Sequence, residues 1–168
     1  METAGSGLGT AGFIVFDDAT DFAAVAHGVS RFLAVESCGQ CTPCKQDGLA
    51  LAELFDRARR SEGGEHDLQE IDDRIRTVAD EARCFLALQH QRVAESIMAL
   101  FPDDVRSHLT DDPHPAADEV LIAPIVDLDG GAAVLDEDHR AKQPDWTFNE
   151  TDSGRTPADS IDQRSEIG

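Results

Sequence analysis

Basic residues are scarce in this sequence of 168 residues. It holds 14 lysines and arginines against 34 aspartates and glutamates, which gives a formal net charge of −20 at pH 7. Nucleic acids and anionic membrane surfaces attract clustered cations, so this balance argues against both as partners. The charge fits a soluble chain, a basic docking partner or a high-salt host, and these three interpretations stay open.

Long apolar runs and targeting signals are lacking too. No apolar stretch approaches the roughly 20 residues of a transmembrane helix, so we expect no direct membrane insertion. No secretory signal is recognisable, and unpaired cysteines suit a reducing compartment. The sequence therefore predicts a cytoplasmic protein of one domain, with any contact to the inner face of a membrane made through partner subunits.

Familiar catalytic motifs are missing as well. No Gly-x-Ser-x-Gly nucleophile elbow occurs. The glycines at positions 7, 9 and 12 match a dinucleotide fingerprint in spacing, but no strand precedes them and no helix follows, so we reject that interpretation. The acid pairs at 72–73 and 103–104 are predicted to be solvated helix faces and caps. The sequence thus offers no recognised nucleophile or catalytic acid pair.

Cysteine carries the functional signal. The sequence has four cysteines, and the first three form a C-x2-C-x2-C run: Cys38, Cys41, Cys44 and Cys84. A [4Fe–4S] cube takes one thiolate per iron, so one loop can reach three corners and a distant segment the fourth. Structural zinc sites more often use two C-x2-C pairs or Cys/His mixtures. The spacing therefore favours a cluster over zinc, and an inert or disulfide role is the least favoured.

The residues around the cysteines suit an anionic cofactor. Gly39 removes a side chain where the backbone must approach sulfur, and it allows a positive φ. Thr42 and Pro43 are predicted as N-cap and first residue of a helix, which would place Cys44 at the positive end of the helix dipole. Lys45 and Arg83 each adjoin a cysteine, either as tuners of the cluster's charge or as ordinary exposed cations.

The histidines show no metal-ligand spacing: His27, His66, His90, His108, His114 and His139. His90 follows Cys84 by one and a half helical turns and could approach a site there. A surface position is the more economical prediction for it.

Apolar periodicity predicts a mostly α protein, a small helical bundle around one iron–sulfur cluster. Helices are expected at 21–37, 43–61, 66–82, 85–100 and about 103–109, with one short strand at 13–16 before them. Gly63 and Gly64 are expected to end the second helix, and Leu49, Leu51, Leu54 and Phe55 to face the core.

Residues 110–168 are expected to form an acidic, largely disordered tail. Within it, the apolar runs at 120–135 flank Asp129 and Gly130, which predicts a β-hairpin that packs on a partner subunit or on the bundle. Trp146, the single tryptophan, is either a docking anchor or a side chain packed back onto the bundle.

Several stretches together resemble one family: residues 7–18, the Ser-Cys-Gly-x-Cys-x-Pro-Cys core at 37–44, Cys84-Phe-Leu, and Phe101-Pro-Asp-Asp. They are similar to the C-terminal part of the NADH-binding flavoprotein subunit of bacterial respiratory complex I, and of related subunits of NAD-linked hydrogenases and formate dehydrogenases. The resemblance covers roughly residues 5–109. It implies that Cys38, Cys41, Cys44 and Cys84 hold a [4Fe–4S] cluster that takes electrons from FMN.

The resemblance also implies a domain plan and a role. Residues 1–20 would be the remnant of a ubiquitin-like domain, 21–109 the iron–sulfur domain and 110–168 the tail. The chain would relay electrons from a flavoprotein or NADH-binding subunit to a further iron–sulfur subunit, without NADH or FMN binding of its own. The alternative is a non-catalytic assembly or redox-sensing subunit with the cluster as a structural staple.

The sequence departs from the family pattern near the cysteines. Lys45 and Gln46 stand where Arg and Glu are common. Residues 87–89 continue a helix where a glycine-containing turn is usual. Both departures bear on the reduction potential.

Overall fold

The computed structural model describes residues 13–144 and 146, and within them the chain is mostly helical. The predicted fold class is therefore confirmed. In the described residues, five α-helices precede a two-stranded antiparallel sheet and a 3₁₀ turn: α1 Phe22–Val35, α2 Thr42–Arg59, α3 Glu65–Thr77, α4 Phe85–Leu100, α5 Pro102–Ser107, β1 Ile125–Asp129, β2 Ala132–Leu135 and the 3₁₀ turn Glu137–Arg140. No helix of this part of the chain is long and apolar enough to cross a membrane.

The start of α1 is fixed by two acidic side chains. Asp21 is the N-cap, and its Oδ1 accepts from the backbone N–H of Ala23 and Ala24 at 2.8 and 3.4 Å. Asp104 of α5 accepts from the N–H of Phe22 at 3.2 Å. These bonds satisfy donors that a helix start leaves unpaired, so the capping role predicted for the acid pair at 103–104 holds for Asp104.

One apolar core joins the five helices. Small residues on α1 let α2 pack closely against it, and aliphatic side chains from α3 to α5 close the far side. The core consists of Ala23, Val25, Ala26, Leu51, Leu54, Phe55, Ala58, Ile71, Ile75, Val78, Ala94, Ile97, Val105 and Leu109. The prediction for Leu49 was wrong, because that side chain lies on the outer face of α2 with 37 % of its surface exposed.

The end of α2 differs from the prediction. The helix ends at Arg59, and Ser61 takes the left-handed conformation at φ +57°. The N–H of Ser61 donates to the carbonyl of Ala58 at 2.7 Å, and that of Glu62 to Arg57 at 2.9 Å, the two bonds of a Schellman motif. Gly64 instead caps the start of α3.

The short strand predicted at 13–16 is also wrong within the described residues. Phe13, Ile14 and Val15 have no assigned secondary structure and are 65, 61 and 89 % exposed. A strand needs a neighbour for its backbone hydrogen bonds, and no described segment pairs with this one. Residues 1–12, with the glycines at 7, 9 and 12, lie outside the described residues.

The segment after α5 runs back along the bundle. The N–H of Ala117 donates to the carbonyl of Arg59 at 2.7 Å, and the carbonyl of Val120 lies against Gly28 of α1. The predicted hairpin is confirmed, although its turn residues are Gly130 and Gly131, at φ +57° and +89°. Residues 145 and 147–168, which belong to the predicted disordered tail, lie outside the described part of the chain.

Candidate metal centre

Two helix starts position the cysteines. Cys38 lies in the loop between α1 and α2, and Cys41 is the N-cap of α2 with Cys44 in its first turn. Cys84 is the N-cap of α4. The predicted N-cap, Thr42, is instead the first helical residue, because Cys41 has the extended backbone of a cap. Helix starts favour thiolates through the helix dipole, so this arrangement suits metal ligation.

The turn within the cysteine loop depends on Gly39. Its φ is +68°, in the left-handed region that residues with a Cβ seldom adopt, as the sequence predicted. The backbone bends at this position, between Cys38 and Cys41. All four cysteines are free thiols.

Cys44 lies near the other three thiols and is influenced by them. Burial, with a smaller contribution from the neighbouring Cys84, Cys41 and Cys38, raises the pKa of the Cys44 thiol to about 11. The loop and the start of α4 therefore lie close enough to interact. Burial therefore favours the neutral thiol of Cys44, and a metal ligated there would supply the positive charge that stabilises the thiolate.

The four cysteines differ in their exposure to solvent. Cys44 is buried, Cys41 is half-buried, and Cys38 and Cys84 are exposed. Within residues 13–144 and 146, no three His, Cys, Asp or Glu side chains converge around a single ion position. The chemistry of the set, four thiols from two segments, fits a cluster that takes one thiolate per iron.

Comparison with known proteins shows which family the region around the four cysteines matches. Residues 24–108, half of the chain, match the family described as the NADH-ubiquinone oxidoreductase-F iron-sulfur binding region. The chain belongs to this family. The resemblance seen in the sequence and the [4Fe–4S] cofactor that it implies are thereby confirmed. The matched region contains all four cysteines.

Individual relatives share shorter stretches. An NADH-quinone oxidoreductase subunit of Rickettsia rickettsii is 54 % identical over 46 residues, 27 % of this chain and 11 % of the relative. The mitochondrial NADH-ubiquinone oxidoreductase 51 kDa subunit of Neurospora crassa is 35 % identical over 81 residues, 48 % of this chain and 16 % of the relative. An NADP-reducing hydrogenase subunit of Solidesulfovibrio fructosivorans is 29 % identical over 109 residues, 65 % of this chain and 22 % of the relative. The chain thus aligns with a minor part of each relative.

His90 is a member of the iron–sulfur region whose place was predicted wrongly. It is 1 % exposed rather than on the surface, and neither ring nitrogen has a hydrogen-bond partner within the described residues. Burial lowers its pKa to about 4, so the ring is neutral. A helical pattern could have revealed it, because Ala87, His90, Ala94 and Ile97 form one buried face of α4.

Asp47 is a second residue that the sequence analysis missed. Its buried carboxylate accepts from Arg74 Nη1 at 2.8 Å and from Thr77 Oγ1 at 2.7 Å. Thr77 is the last residue of α3, and the chain then turns toward Cys84. Asp47 therefore links the end of α3, after which the chain leads to Cys84, to α2, which carries Cys44.

Of the two cations expected to be either charge tuners or ordinary exposed cations, the structure gives Lys45 a specific contact. Its Nζ lies 4.2 Å from the centroid of the Trp146 ring, in cation–π geometry. Arg83 is exposed beside Cys84. Trp146 itself packs back onto the chain at the cysteine loop, one of the two places predicted for it.

Proposed function

We propose that Cys38, Cys41, Cys44 and Cys84 are the four ligands of one [4Fe–4S] cluster. The support is that Cys44 lies close enough to Cys38, Cys41 and Cys84 for these thiols to contribute to its raised pKa, and that all four lie in a region that belongs to an iron–sulfur family. The bound cluster supplies one-electron redox chemistry. The chain's own part is to hold the thiolates, to bury Cys44 and to keep water from that side.

We further propose that the chain relays electrons in a complex I-like or hydrogenase assembly. It would receive them from a flavin-bearing, NADH-oxidising subunit and pass them to a further iron–sulfur subunit. The observation that carries this proposal is the exposure of Cys38 and Cys84, because a cluster with an exposed edge can exchange electrons with a docked partner. The relatives' names, subunits of an NADH-quinone oxidoreductase and of a hydrogenase, support the same setting.

Stopped-flow mixing of the anaerobic, cluster-loaded chain with photoreduced FMN tests the relay. We expect bleaching of the cluster's visible absorbance with uptake of one electron per chain, at a potential within the roughly −700 to +450 mV range of such clusters. Dithionite provides the reference for full reduction. A loaded chain that neither FMN nor dithionite reduces would contradict the relay and favour a structural staple.

A further inference from the structure

A segment near the end of the described chain runs along α1 to the cysteine loop. We call residues 136–144 with Trp146 the C-terminal strap. Arg31 of α1 donates from Nη2 to the carbonyl of Arg140 at 2.6 Å and to that of Lys142 at 3.1 Å. These bonds hold the strap's backbone against the second half of α1.

Side chains fix the strap just before the first cysteine. His139 is 2 % exposed, and its ring stacks on Phe32 with the centroids 5.2 Å apart. Its Nε2 lies 3.1 Å from Oε1 of Glu36, and Lys142 Nζ lies 2.6 Å from the same oxygen. Glu36 is two residues before Cys38, so these contacts bring the strap to the cysteine loop.

Trp146 lies on the cysteine loop itself. Its Nε1 donates to Ser37 Oγ at 3.2 Å, and Lys45 Nζ sits over its ring. A Cβ on Gly39 would lie 2.5 Å from Cδ1 and Cγ of the ring, so the missing side chain makes room for the indole. The three contact residues, Ser37, Gly39 and Lys45, are each next to a cysteine in the sequence.

We propose that Trp146 is a positioning residue for the cluster, holding the cysteine loop in its ligating shape and covering that side from water. The proposal rests on the proposed ligand set. An apolar cover lowers solvent access and the local dielectric around a metal centre, and both govern its stability and potential. Water stabilises the more negatively charged, reduced state of an uncovered centre, so losing the indole raises the reduction potential.

The test compares cluster-loaded wild type with W146A and W146F. We expect W146A to lose its cluster in air about 10-fold faster and to have a more positive potential. W146F should fall between the two, because phenyl fills the space beside Gly39 but cannot donate to Ser37. L128A is the matched control, since Leu128 is an exposed apolar residue of the same tail and should leave both quantities unchanged.

Fluorescence of wild type adds a measurement that needs no variant. Trp146 is the single tryptophan, so its emission reports on this contact alone. A cluster beside the indole should quench it, and removing iron with a chelator should restore it. If wild type holds no cluster, the proposed function fails. If it holds one, while W146A matches wild type in lifetime and potential or the emission is the same with and without iron, the positioning role is wrong.

Discussion

Burial of His90 makes the stability of the chain depend on pH. The ring is neutral in the folded chain because its pKa is about 4, whereas in the unfolded chain the value returns to about 6.5. Between those values the unfolded chain binds more protons than the folded one. Stability therefore falls as the pH drops from about 6.5 toward 4.

We expect wild type to lose about 2 kcal/mol through this one group between pH 7.5 and pH 5. In H90L this loss should be absent, and the variant should also be more stable at pH 7.5, because no unpaired polar group is then buried. Denaturant unfolding of anaerobic samples at both pH values measures the difference between the two proteins. Equal pH dependence in wild type and H90L would show that His90 is not held neutral.

The spacing of Cys38, Cys41 and Cys44 predicts a shared ligand role, because ligand geometry is local for these three, and this role stays a prediction. The contact of Trp146 with Gly39 could not be predicted, since more than a hundred residues separate them. The strap that carries the indole is held by Arg31, Phe32 and Glu36. His90 lay between these cases: its helical face was visible in the sequence, but the polarity of its ring favoured an exposed position.

At the scale of elements, the two helical glycines Gly28 and Gly48 differ in whether the surrounding structure has room for a Cβ. A Cβ on Gly28 would overlap the backbone carbonyl of Val120, so this glycine is what lets the extended segment lie on α1. A Cβ on Gly48 would meet His90 and the Cβ of Ala34 at 3.6 and 3.7 Å, which are ordinary contacts.

G28A should therefore destabilise the chain by about 1–3 kcal/mol, because the segment around Val120 must move. G48A should stabilise it by up to about 1 kcal/mol, since alanine is the better helix former. Unfolding midpoints of both variants, measured side by side, give the comparison. A midpoint for G28A at or above that of G48A would contradict the packing of the segment on α1.

The helices illustrate what local pattern determines. The bounds of α4 agree with the predicted 85–100, because its start and stop are set locally by Cys84 and Pro102. The end of α2 was missed because Ser61 takes the left-handed conformation that glycine usually supplies. The Ser61 Oγ donates a hydrogen bond to the carbonyl of His114 at 2.6 Å and lies at hydrogen-bond distance, 3.0 Å, from His108 Nδ1. Both partners are distant in the sequence, so no local signal reveals them.

At the scale of the molecule, three stretches of chain meet at the cysteines. The loop after α1 brings three of them, the turn after α3 brings the fourth, and the C-terminal strap contacts the loop through Trp146. Asp47 links the helix that follows the loop to the end of α3, and Arg31 binds the backbone of the C-terminal strap. The division at 20 and 109, and a docking role for the exposed hairpin, stay predictions.

The measurement that tests the account most directly is metal and sulfide analysis of the anaerobically purified chain, with EPR after reduction. We predict about four irons and four sulfides per chain, as one [4Fe–4S] cluster requires. Serine at Cys38, Cys41, Cys44 or Cys84 should abolish or alter the signal, whereas T42A, at the exposed first residue of α2 beside Cys41, should keep it. Stoichiometric zinc in place of iron, or a serine variant with the iron content and spectrum of wild type, would contradict the proposed centre.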